Sequence, residues 1–181
     1  KGVDNGVMDE PPVTLFVQEG RLEPGEADRR GRWHFEDSWP LEGVTHTKYY
    51  LGPDGRLSGR RPRTSDGVDE FRYAPTVGIA AGLVGGVASG VGLPGDQRPD
   101  AAYSLIYASA PLDDDTEITG IPTADLQISS TGGIAAFVVK LCEVAPDGYS
   151  SLITRGSANA TRRDSRVDPA ALEQDRVYRL S

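Results

Sequence analysis

Apolar and polar residues alternate two apart in short runs along this chain, and each run is closed by Gly, Pro, Asp or Asn. Val13 to Val17 (VTLFV) follows the Pro11-Pro12 pair and has five β-favouring residues in a row. Thr45 to Leu51 (THTKYYL) alternates and is closed by the turn sequence Pro53-Asp54-Gly55. Phe71 and Tyr73 share one face of a run that Pro75 ends, and Tyr103, Leu105 and Tyr107 share one face of Ala102 to Ser109. Leu126 and Ile128 do the same in Ala124 to Ser130. The clearest pattern is Ala135 to Val144, where Phe137, Val139 and Leu141 alternate with Val138, Lys140 and Cys142; Pro146 to Gly148 then turns it into YSSLITRG, which predicts a hairpin. SANATRR and Asp175 to Leu180 add two further short candidates, with at most one helical turn in DPAALEQ between them. No stretch carries the apolar stripe of a four-turn helix. About nine or ten short strands predict an all-β protein, a β-sandwich of the jelly-roll type.

The remaining stretches read as connections. Gln18 to Arg32 is charged and turn-rich, a long surface loop. Trp33, Phe35 and Trp39 surround Glu36 and Asp37 and are expected to cap the core from a strand and corner. Val77 to Leu93 is uncharged but glycine-rich, which predicts a loop or bulged strand rather than a spanning helix. Pro94 to Gly120 begins as a polar, proline-bounded hinge and joins the shorter early elements to the longer late ones. With 181 residues and 19.3 kDa, one domain over residues 1–181 is expected.

Composition narrows the function. Gly 22 and Pro 13 fit many turns, and a net charge of −8 with pI near 4.8 argues against binding a nucleic-acid backbone. The one basic cluster, Arg56, Arg60, Arg61 and Arg63, reads as a solvated loop. No signal peptide is visible, so a cytoplasmic location is expected, with no membrane partner. The single cysteine, Cys142, sits in a strand pattern as a small buried side chain and excludes an intrachain disulfide.

No catalytic set is visible. GYSSL, Gly148 to Leu152, places Leu152 where a nucleophile elbow needs glycine, and it falls within the predicted hairpin. His34 and His46 lack the spacing of a zinc site, and Asp113 to Asp115 lack the alternation of a calcium loop. No phosphate-loop ending follows the glycine-rich stretch, so no cofactor is expected. Asn159-Ala160-Thr161 matches a glycosylation acceptor triplet.

The segment PGDQRPDAAYSLIYASAPLDDDTEITGIPTADLQISS closely resembles the C-terminal domain of the cocaine-esterase and X-Pro dipeptidyl-peptidase group of serine hydrolases. PPVTLFV, GRWHFEDSWP, KYYLGPDGRLS, FVVKLCEVAPDGYSSLITRG and DRVYRL agree in order, so the resemblance spans nearly the whole chain. It implies a galactose-binding-like jelly roll packed against an α/β-hydrolase domain of the same parent chain, which would cleave esters, amides or X-Pro peptides. That domain, with its Ser-Asp-His triad, would precede Lys1, and a last set of strands would follow Leu180. By position, the resemblance sets Leu83, Val84 and Val87 beside the acyl pocket. Where relatives often carry aspartates ahead of the FV-x-L strand, this chain has Gly132-Gly133-Ile134-Ala135-Ala136. The expected role is a non-catalytic domain that shields the hydrolase site. A carbohydrate-binding module using Trp33, Trp39, Tyr49 and Tyr50 is the alternative, and a homo-oligomer fits either.

Overall fold

A computed structural model describes residues 2, 5–21, 30–63, 67–79, 81 and 94–181. Their regular structure is almost all strand. Among them the one α-helix is a single turn, α1 (Arg98–Ala101). The chain groups into two compact units, Lys1–Ser65 with Tyr107–Ile121, and Asp66–Ile106 with Pro122–Ser181.

In the first unit, β1 (Val13–Glu19) and β2 (Arg30–Glu36) pair antiparallel with Leu15 opposite His34 and Phe16 opposite Trp33. Val13, Leu15 and Val17 are half-buried along one face, as the period-two pattern requires. The expected loop over 18–32 is shorter than its charge implied, because Gln18 and Glu19 extend β1 and Arg30 to Arg32 begin β2. Glu19 faces Arg30 across the ladder and Arg32 pairs with both Glu19 and Glu117, so opposite charges stabilise strand ends that composition alone marks as loop. Trp33, Phe35 and Trp39 are exposed rather than capping the core.

Only the end of THTKYYL forms a strand. β3 (Tyr50–Leu51) pairs with β4 (Leu57–Ser58) around the Pro53–Gly55 turn, where Asp54 takes φ 59° and Gly55 φ 69°. Arg56 adds an isolated parallel bridge to Ala108. That bridge is all that Ala102 to Ser109 contributes to a ladder among the described residues. Its first residues complete the turn after α1, with Tyr103 N–H donating to Asp100 and Ser104 N–H to Ala101, so the donors a strand would use are taken locally.

The second unit holds the two strongest pairings. β6 (Ala136–Val144) and β7 (Ser150–Asn159) form the predicted hairpin, with a register irregularity between Leu141 and Cys142. Its connection closes because Gly148 takes φ 82° and donates to the Ala145 carbonyl, while Ala145 N–H donates to Tyr149 and Tyr149 N–H to Asp147 Oδ1. β5 (Leu126–Ile128) pairs with β8 (Tyr178–Leu180). The core lies between these pairs: Ile128, Ala160, Leu172 and Leu180 are buried, with Phe137, Ala158 and Tyr178 packed against them. β7 ends where Asn159 Oδ1 accepts from the Thr161 amide at 3.0 Å and from its hydroxyl at 2.8 Å, capping a short 3-10 turn over Ala160–Arg162. The acceptor-triplet match thus coincides with a local cap. Gly133 presents its carbonyl to the Leu172 amide at 2.9 Å.

The run DEFRYAP forms no ladder among the described residues. Its residues 70–74 instead line an open cleft of about 350 Å³ together with Tyr103, Ser104 and Leu105. The all-β class predicted from the pattern holds.

Candidate functional site

The segment Gly95-Asp96-Gln97-Arg98-Pro99-Asp100, expected to be a hinge, is the most densely bonded polar cluster described in the chain. Pro99 falls inside the first turn of α1, where a missing N–H leaves no bond unmade. That turn places Asp96, Gln97 and Asp100 against three other segments.

Asp96 faces the hairpin. Its Oδ1 accepts from the Ser150 amide at 3.2 Å and the Arg98 amide at 3.1 Å, while Oδ2 accepts from Arg98 Nε at 2.7 Å. The Arg98 guanidinium, followed by these amide donors, holds the Asp96 carboxyl well below the usual range, at about 2. The same pairing raises Arg98. Gln97 is 3% exposed and uses both ends of its amide. Its Nε2 donates to the Ala81 carbonyl at 3.2 Å and the Gly95 carbonyl at 2.8 Å, while Oε1 accepts from Lys140 Nζ at 2.9 Å. Its backbone N–H reaches the Ser150 carbonyl at 2.9 Å. Asp100, also 3% exposed, accepts from the Ala81 amide at 2.9 Å.

Both backbone groups of Ala81 are therefore held, since Gly95 N–H also donates to the Ala81 carbonyl at 3.0 Å. Residues 81 and 95 are brought together and tied to β6 and β7. No described buried side-chain nitrogen or oxygen lacks a partner. Such an arrangement fixes backbone, and the Asp96 and Asp100 carboxylates are occupied as acceptors.

The other sequence candidates are scattered. Ser150 and Ser151 are buried within β7, and the Ser150 backbone is engaged by the clamp. Cys142 is half-buried; burial raises its thiol pKa, partly offset by a hydrogen bond with Ser150. The His34 ring accepts from Arg32 Nε at 2.9 Å. Among the described residues no three His, Cys, Asp or Glu side chains converge on one point, and no helix is long and apolar enough to cross a membrane. Arg56, Arg60, Arg61 and Arg63 are all exposed. Leu83, Val84 and Val87 lie outside the described residues. What sequence reasoning missed was the clamp, whose partners are mostly backbone groups.

Comparison with known proteins gives a consistent picture. Residues 5–181 match the model of the X-Pro dipeptidyl-peptidase C-terminal non-catalytic domain. The chain is 34% identical over 184 residues to a Mycobacterium bovis protein named as a serine esterase, covering 99% of this chain and 27% of that one. To the cocaine esterase of a Rhodococcus species it is 30% identical over 194 residues, covering 100% of this chain and 32% of the relative. In fold it resembles an aminopeptidase from a marine-sediment Thaumarchaeota archaeon, with TM-score 0.61 and 21% identity over 82% of this chain and 27% of that one. The chain thus spans about a quarter to a third of the length of the proteins it matches.

Proposed function

The chain belongs to the X-Pro dipeptidyl-peptidase C-terminal non-catalytic domain family, and from that premise we propose that it packs against the α/β-hydrolase domain of a longer chain and shields that domain's active site. The 181 residues act as one β-sandwich module of that chain. The parent enzyme is a serine hydrolase that cleaves esters, amides or X-Pro peptides, with its triad supplied from outside these residues. The observation that carries this reading is the clamp. The best-organised polar cluster described in the chain holds backbone at residues 81 and 95, and the intervening sequence includes the apolar Leu83, Val84 and Val87. Backbone held at residues 81 and 95, on either side of an apolar, glycine-rich sequence, suits the wall of an acyl pocket.

Hydrogen exchange of the longer protein, with and without an alkylphosphonate on its catalytic serine, tests the reading. Slower exchange in peptides spanning residues 76–106 on inhibitor binding is the expected result. Unchanged exchange throughout residues 1–181 would remove the shielding role.

A second reading, a carbohydrate-binding module, draws on the exposure of Trp33, Trp39 and Tyr49; Tyr50 is half-buried. It predicts glycan-array binding that Trp39→Ala abolishes, and a blank array speaks against it.

A further inference from the structure

In the β1–β2 hairpin the outward face is the aromatic one. Thr14, Phe16 and Gln18 alternate away from the half-buried Val13, Leu15 and Val17, and their cross-strand partners are Phe35, Trp33 and Gly31. An outward sheet face that meets water is expected to be polar. Here Trp33 and Phe35 are each 62% exposed and Phe16 is 38% exposed. The Phe16 and Trp33 rings lie 5.0 Å apart, tilted by 56°. Gly31 makes room for this arrangement, since a Cβ there would stand 2.7 Å from Phe16 Cζ. The rings are thus placed before any partner arrives.

We propose that this face, built from Phe16, Trp33 and Phe35, is where the hairpin docks onto the part of the longer polypeptide outside residues 1–181. The inference rests on the packing role proposed above and names its surface. Three aromatic rings bury on the order of a few hundred Å² together, less than the roughly 800 Å² per partner of a stable interface between free proteins. A patch of that size suffices when the partner is covalently linked, because linkage supplies a high effective concentration. The proteins this chain matches over its length are about three to four times longer, so such a linked partner exists in them. Two of the three rings are phenylalanines with no polar atom, which suits burial against an apolar protein surface rather than the hydrogen-bonded recognition of a sugar.

The test uses the longer protein with photoreactive benzoylphenylalanine in place of Phe35, a substitution that keeps the ring, followed by irradiation and peptide mass spectrometry. Cross-links to peptides outside residues 1–181 of the same chain are expected, and they are lost when Trp33→Asp is added. Cross-links confined to residues 1–181, to a second copy, or absent altogether would overturn the assignment. The same probe at Tyr73, which is 78% exposed, separates the two claims. If Tyr73 reaches the rest of the chain and Phe35 does not, packing stands and this face is wrong; if neither reaches it, both fail.

Discussion

Replacing Gln97 by alanine should loosen the clamp more than any other single change in it. The side chain is almost fully buried and makes three hydrogen bonds, to the Ala81 carbonyl, the Gly95 carbonyl and Lys140 Nζ. Each such bond contributes about 1 kcal/mol net, and the one to the charged ammonium about twice that. The Ala81 carbonyl keeps the Gly95 amide as a donor, which limits the penalty there. The Gly95 carbonyl and Lys140 each lose their Gln97 partner. The expected loss is therefore about 2–4 kcal/mol, read by urea unfolding followed through tryptophan fluorescence. Gln97→Glu separates hydrogen bonding from shape. It preserves the acceptor toward Lys140 but turns a carboxylate toward the Ala81 and Gly95 carbonyls. It should destabilise at neutral pH and recover as the pH falls and the acid gains a proton to donate. A Gln97→Ala protein within about 0.5 kcal/mol of the parent would refute the view that this residue holds the clamp, since changes that small are typical of surface positions.

Three other perturbations follow from the same geometry. The Asp96 carboxyl is held at about 2 in the folded chain, below its unfolded value near 3.8, so its contribution is present above pH 4 and lost as pH falls through 2. With its side chain 23% exposed, this amounts to about 1 kcal/mol after solvent screening. An acid titration of stability should be flatter between pH 4 and 2 in Asp96→Asn. Gly148→Ala places a side chain at φ 82° and brings its Cβ to 3.4 Å from Arg98 Nη1, which should weaken the hairpin by about 1 kcal/mol in the same unfolding assay. Gly31→Ala would bring its Cβ against the Val17 carbonyl and the Phe16 ring, and should lower stability by about 1–3 kcal/mol while exposing Phe16 further.

What the sequence revealed depended on where each element finds its partners. β1, β5 and β8 were legible because alternation in them coincides with burial, as in Leu126 and Ile128, whereas β6 and β7 were legible through the turn between them, since Val139 is exposed and Ser150 to Leu152 are buried in succession. The Pro-Asp-Gly turns were legible because their backbone demands Gly or Asp locally. Ala102 to Ser109 has the same alternation yet forms no extended ladder, since its first donors go to the turn after α1. Trp33 and Phe35 were expected to cap the core and are exposed instead, because spacing cannot say which face is inside; Val13, Leu15 and Val17 decide that from the opposite strand. The clamp was read only as a polar hinge. Its partners are the backbone groups of Ala81 and Ser150, distant in sequence and carrying no signature of their own.

The central claim is that these residues support catalysis performed elsewhere in a longer chain. The most direct measurement is hydrolysis of an activated ester, p-nitrophenyl acetate, by the 181-residue chain alone. No rate above buffer is predicted, with the Ser150→Ala and Ser151→Ala proteins indistinguishable from the parent. Saturable turnover, abolished by an alkylphosphonate that labels a serine within residues 1–181, would contradict it.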